Sequence, residues 1–302
     1  MYEQIARNKR KTLGLILIFS GLIFALVWFI ENLLGWGKEG LALAVFLAVA
    51  MTFSSYYWSD RLVLTISRAR PLDRREFPFL FHTVEGLAIA AGIPAPACYI
   101  IDDSAPNAFT TGRSPRRAVI VVTRGLLEKL NRLELEGVIG HEMAHIKNYD
   151  MLLQTVTAVM AGTVVLLSDW WRRSLFWGGP KRPGDKNGRS GQGQIILLLF
   201  GFLLIILAPL AAQLIRLAIS RQREFLADAE GVRLTRYPPG LARALRKIAE
   251  DKEPLEVANR ATAHLYIVNP FKSFSDRIHR LFQTHPPIEE RIAALEKMAG
   301  GT

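Results

Sequence analysis

The sequence predicts an α+β, mostly helical protein in which multi-pass membrane helices carry a polar domain. Three observations predict it. Half of the 302 residues are hydrophobic and mean hydropathy is +0.18, more apolar than a soluble domain needs. The apolar residues gather into four uncharged runs, 13–30, 40–59, 151–168 and 195–215. The polar remainder alternates helical periodicity with short β-rich pieces. Composition also excludes whole classes. The chain carries 38 Lys+Arg against 27 Asp+Glu, a net +11; beside so much apolar sequence this fits an anionic membrane surface and positively charged cytoplasmic flanks, and no nucleic-acid partner is expected. Cys98 is the only cysteine, so a disulfide framework and a cysteine-built metal site are both ruled out, and the polar part is expected in a reducing compartment.

Taken in order, residues 1–59 read as a transmembrane hairpin. Eighteen helical residues cover about 27 Å, close to the roughly 30 Å hydrocarbon core of a bilayer. The break at 31–39 holds Asn32, Gly35 and Gly37 and turns the chain. Arg7, Lys9, Arg10 and Lys11 precede the first run as they would in a signal peptide, but Trp28, Phe29 and Ile30 stand where small cleavage residues belong. The reading is an uncleaved anchor in the cell membrane with its N terminus in the cytoplasm. Arg61, Arg68, Arg70, Arg74 and Arg75 follow the second run and mark the same side.

Residues 60–150 form the first part of a domain. A helix is predicted over 76–91, closed by Gly92 and Pro94; strands over 97–101, around 107–110 and over 118–123; and a helix from Leu133 through His145 that continues into the apolar run at Met151. Residues 151–215 form a second apolar hairpin around a Gly/Pro-rich loop, 172–194. That loop holds Arg172, Arg173, Lys181, Arg182, Lys186 and Arg189, which opposes the positive-inside bias if the pair spans, so a buried or partly inserted hairpin is the competing reading. A hairpin returns to the side it left in both cases. Residues 60–150 and 216–302 therefore face one compartment and can build one domain, the second part helical over 216–234, 240–250 and 288–298.

The chemistry concentrates in His141-Glu142-Met143-Ala144-His145. Histidines four apart lie on one helix face, where their imidazoles can converge on one ion. Zinc suits imidazole and carboxylate donors, and Glu142 follows the first histidine closely enough to act as general base. A catalytic site needs a third protein ligand. Glu224, Asp228 and Glu230 are the candidates downstream; Glu224 and Asp228 share a helix face, so one can bind metal while the other accepts a proton from a ligand imidazole. His145 stands six residues before the third apolar run and Glu224 nine after the fourth, about 9 and 14 Å along helices, and an antiparallel hairpin brings those ends together. His82, His264 and His279 have no partner spacing and read as structural or surface residues.

The order His-Glu-x-x-His then Glu-x-x-x-Asp resembles the gluzincin peptidases, and with Met1-Tyr2-Glu3-Gln4-Ile5, Asn107-Ala108-Phe109-Thr110-Thr111-Gly112, Glu136-Gly137-Val138-Ile139-Gly140-His141 and Thr284-His285-Pro286-Pro287-Ile288-Glu289-Glu290-Arg291 the chain resembles the HtpX family of membrane zinc endopeptidases, relatives of the type I CAAX prenyl endopeptidases. The resemblance covers nearly the whole chain. It implies a gluzincin-like zinc peptidase domain facing the cytoplasm, with Zn2+ held by His141, His145 and Glu224, Glu142 as the catalytic carboxylate and Asp228 orienting a histidine. It implies that Asn107 lies in an edge-strand segment where substrate backbone pairs in extended form, and that His285 and Arg291 bind substrate or stabilise an oxyanion. The implied substrates are peptides or cytoplasmic regions of damaged membrane proteins. The alternatives are a prenyl-protein processing peptidase, for which four spans are too few to enclose a large chamber, and a non-catalytic membrane scaffold or transporter, which would be expected to carry ionisable residues within its spans.

Overall fold

The first two apolar runs fall in two helices, α1 (Tyr2–Leu34) and α2 (Lys38–Tyr57), in a computed structural model that describes residues 2–34, 38–177, 201, 220–258, 262–271 and 286–300. The third apolar run falls in α7 (Asp150–Trp177). The fourth, 195–215, lies outside the described residues apart from Gly201, as does the loop beyond Trp177. Among the described residues no helix is long and apolar enough to cross a membrane. Leu15, Ile16, Phe19 and Ile23 of α1 bury themselves against Leu153, Val156 and Met160 of α7. The other sides of α1 and α2 turn Leu17, Ile18, Phe46 and Val49 outward, each more than 45% exposed.

Among the described residues four strands make the sheet: β1 (Arg70–Pro71), β2 (Ala97–Ile101), β3 (Ala108–Thr111) and β4 (Val119–Thr123), in the order β1-β2-β4-β3. The run Val119-Ile120-Val121-Val122 is buried on both faces and occupies an inner position, as an unbroken β-branched run should. It pairs parallel with β2 and antiparallel with β3, which leaves β3 at an edge. On one sheet face Ile100, Ile120 and Val122 pack with Leu80 and Val84 of α4 (Pro78–Ala91) and with Val138, Ile139 and Met143 of α6 (Arg132–Lys147). On the other, Ile101, Phe109 and Val121 pack with Ala158 and Val159 of α7 and with Tyr266. The sheet is thus clamped between the helix that carries the HExxH motif and the third apolar helix.

The three predicted strands and the helix closed by Gly92, which takes a left-handed φ of 70°, occur where the patterns place them. The sequence reading omitted the short helices α3 (Ser59–Ile66) and α5 (Arg124–Lys129) and the two-residue β1; pieces this short have too few residues for a period to emerge. The C-terminal part supplies α8 (Arg221–Thr235), α9 (Pro238–Glu250) and α10 (Ile288–Gly300). One expectation is corrected. The HExxH helix does not run straight into the apolar run: α6 ends at Lys147, Tyr149 turns left-handed with φ 59°, and α7 begins afresh at Asp150.

Candidate metal centre

Helix α6 is built to hold its histidines at a fixed height. Its first turn is a capping box, Asn131 Oδ1 accepting from the Glu134 amide while the Glu134 carboxylate accepts from the Asn131 amide, which satisfies amides that a helix start leaves open. Its last two turns hold His141 and His145, with imidazoles perpendicular, centroids 4.6 Å apart and Nε2 atoms 3.1 Å apart. Helix α8 crosses α6 at unusually short range because glycines meet there: a Cβ on Gly231 would lie 2.8 Å from the His141 amide nitrogen, closer than packing allows. That crossing delivers Glu224, whose carboxylate oxygens stand 3.8 Å from His141 Nε2 and 3.6 Å from His145 Nε2.

Among the described residues His141, His145 and Glu224 form a group of metal-ligand type, with donor atoms all within 4.8 Å of one another and all three side chains buried. The donor set fits a metal. Tetrahedral zinc with Zn–N bonds of about 2.0–2.1 Å sets neighbouring donors about 3.3 Å apart, close to the spacings found. Two imidazole nitrogens and one carboxylate leave a fourth position free for a reacting molecule.

The far side of each ring is braced by a carboxylate. His141 Nδ1 lies 2.8 Å from Asp228 Oδ1, and His145 Nδ1 lies 3.2 Å from Asp150 Oδ2. Burial disfavours the charged form of Asp228, but the Arg291 guanidinium outweighs it and holds the carboxyl down at about 2. Burial likewise works against a charged His145, while the Asp150 hydrogen bond and the Glu224 charge raise it to about 9. Glu142 is 2% exposed. Burial raises its proton affinity against the opposing pull of the two imidazoles. Thr110 on β3 is near enough for its hydroxyl to bear on the Glu142 carboxyl.

The remaining sequence candidates fall in different places. Arg291 is completely buried; Nε and Nη2 donate to the two Asp228 oxygens at 2.8 and 2.6 Å, and Nη1 donates to the Ile267 carbonyl at 3.1 Å and lies 3.7 Å from Glu224. Asn107 is buried at the entry to β3. Its Nδ2 donates to the Val268 carbonyl and its Oδ1 accepts from the Ala108 amide, so its side chain staples the strand to the 266–268 segment. His285 lies outside the described residues, as does His279. His264 is buried with Nε2 3.2 Å from the Gln154 carbonyl, and His82 is exposed beside Glu85, in keeping with structural and surface roles. A cavity of about 770 Å³ between α1, α2 and α7 is lined by residues that include Lys9, Ile16, Phe53, Arg113 and Tyr149 and by none of the metal-centre residues.

Asp150 is the residue that sequence reasoning missed. On one continuous helix a separation of five residues turns His145 and Asp150 about 140° apart, so no helical pattern would have paired them. The left-handed Tyr149 that breaks the helix brings them together.

Known proteins resemble this chain over nearly its whole length. The description of peptidase family M48 matches residues 75–299. "Protease HtpX homolog" of Dictyoglomus turgidum is 47% identical over 98% of this chain and 94% of its own length. Relatives of the same name from Thermococcus sibiricus and Streptococcus gordonii are 46% and 42% identical, over 95% and 99% of this chain and 94% and 100% of theirs. Among solved structures, that titled crystal structure of S. mikatae Ste24p aligns with 98% of this chain and 67% of its own, at 23% identity and a TM-score of 0.48.

Proposed function

This chain belongs to peptidase family M48 and is a metalloprotease of the HtpX type, and from that premise we propose that it is a membrane-bound zinc endopeptidase that hydrolyses cytoplasmic segments of membrane proteins. The observation that carries the reading is the convergence of two imidazole nitrogens and one carboxylate, each ring braced from behind, on one buried point beside Glu142. Membership of a peptidase family sets the scaffold alternative aside.

In this proposal His141, His145 and Glu224 hold the metal. When bound, zinc supplies Lewis acidity towards water and the scissile carbonyl. The chain's own residues manage the protons and the substrate. Glu142, its proton affinity raised by burial, takes a proton from the attacking water and delivers it to the departing amine; general acid–base work of this kind is worth about 10²–10⁴ in rate. Asp228 and Asp150 accept the Nδ1 protons of the two histidines, which leaves each Nε2 lone pair for the metal.

Substrate backbone pairs with the β3 edge. Ile267 already donates its amide to the Ala108 carbonyl, and Thr110, two residues on and facing the same way, is where an added strand brings a peptide to Glu142. Arg291 takes a positioning role, since its donors are engaged by Asp228 and Ile267, and His285 is the candidate that remains for the oxyanion. The outward apolar side chains of α1 and α2 support contact with a bilayer, because large apolar patches are rarely left to water.

The test is a Glu142→Gln variant purified beside the wild type and offered a membrane-protein substrate. Cleavage is expected to fall at least about 10²-fold while metal content stays unchanged. Wild-type cleavage by the variant sinks the mechanism.

A further inference from the structure

The N-terminal helix reaches the metal centre through an unbroken chain of hydrogen bonds. Asp150 spans the two: its Oδ2 lies 3.2 Å from His145 Nδ1, and its Oδ1 accepts from Asn8 Nδ2 at 2.7 Å. Arg223, the residue before the metal-ligand candidate Glu224, places Nη1 3.4 Å from the same Oδ1. Asn8 Nδ2 also donates to the Asn148 carbonyl at the end of α6, and Asn148 Nδ2 donates to Glu230 of α8. Asn8, Asp150 and Arg223 are 2%, 3% and 6% exposed. The Asp150 carboxylate is therefore held by three elements at once, α1 through Asn8, α6 through His145 and α8 through Arg223. The backbone points the same way: Tyr149 holds a left-handed φ of 59°, which crowds the Cβ of a non-glycine residue and persists where surrounding contacts over-determine it.

We propose that Asp150 is the positioning residue of His145 and that Asn8 sets Asp150, so that the affinity and geometry of the metal centre depend on the docking of the N-terminal helix. The inference rests on the metal-centre reading above and deepens it. His141 is braced from the C-terminal side, by Asp228 and Arg291. His145 is braced from the N-terminal side, by Asp150 and Asn8. Helix α1 is then a working part of the site as well as an anchor, and loosening it from α7 weakens metal binding without touching a ligand.

The experiment uses the full chain in detergent. Zinc affinity is read by competition with a chromophoric chelator, and ligand geometry by the visible absorption of the cobalt-loaded protein, for wild type, Asn8→Ala, Asp150→Asn, Asp150→Ala, the Asn8→Ala/Asp150→Ala double variant and His141→Ala. Loss of a carboxylate behind a ligand histidine typically costs about 10–100-fold in affinity, and that is expected for Asp150→Ala. Asn8→Ala is expected to lose roughly three- to tenfold, on the same principle acting one bond further out, and to shift the cobalt spectrum although Asn8 touches no ligand. The double variant is expected to bind no more weakly than Asp150→Ala alone, because the two act in series. If Asp150→Ala does not fold, Asn8→Ala and Asp150→Asn carry the comparison. Zinc affinity within about twofold of wild type in those two, or losses that multiply independently in the double variant, overturns the proposal. His141→Ala separates the two readings: wild-type zinc affinity there overturns the metal centre itself, whereas loss of zinc there with no effect at Asn8 and Asp150 overturns only the relay.

Discussion

At Arg291, a sequence resemblance and a set of contacts give one residue two different jobs. The resemblance suggests substrate or oxyanion binding; the contacts give a fully buried guanidinium joined to both oxygens of Asp228. Breaking a buried charge pair by removing one partner costs about 3–5 kcal/mol, and lysine does not reproduce a two-pronged pairing. Arg291→Ala is therefore expected to lower the melting temperature in the absence of substrate, with Arg291→Lys recovering only part of the loss. A variant that lost turnover at unchanged thermal stability would favour the oxyanion role. Cys98 gives a second prediction at this scale. Burial pushes its thiol up to about 12, and the thiolate is the reactive form, so alkylation at pH 8 should proceed only after unfolding; prompt labelling of the native protein would contradict the packing of β2. Residue chemistry was legible wherever it was local. His141 and His145 are a helical turn apart, and that spacing alone places them. Asp150 was illegible because its partnership depends on a backbone turn at Tyr149, which the sequence Lys147-Asn148-Tyr149-Asp150 does not announce with glycine or proline.

At the scale of elements, the centre depends on how closely α8 crosses α6. Gly140 and Gly231 face each other there, and the backbone of His141 fills the space a side chain on Gly231 would need. Gly231→Ala should force the helices apart. The expected result is a loss of about 1–3 kcal/mol together with weaker zinc binding, since the same crossing sets the distance from Glu224 to both histidines. Full stability and full zinc affinity in that variant would show that the crossing has slack. The strands were readable from the β-branched run at Val119 and the helix at 76–91 from its closing Gly92, because alternation and caps are written in consecutive residues. The sheet order β1-β2-β4-β3 was not, because strand pairing is decided by which faces α6 and α7 cover, over separations that no window spans.

The whole molecule joins two apolar N-terminal helices to a candidate metal centre assembled from both halves of the polar sequence. The two polar parts meet where α6 packs on α8; the contribution of α1 was not legible in the sequence, since a side chain such as Asn8 beside Lys9 and Arg10 reads as an ordinary solvated flank. The outward apolar residues of α1 and α2 lead to the expectation that the protein stays with membranes through an alkaline carbonate wash, and release into the wash would count against a spanning hairpin. The most direct test of the metallopeptidase account is metal content measured alongside proteolysis of a casein-type substrate, on one purified sample, before chelation, after chelation and after zinc is returned. The account predicts about one zinc per chain, proteolysis that vanishes with the metal, and recovery of both when zinc is restored. Undiminished proteolysis by protein stripped of metal would contradict it.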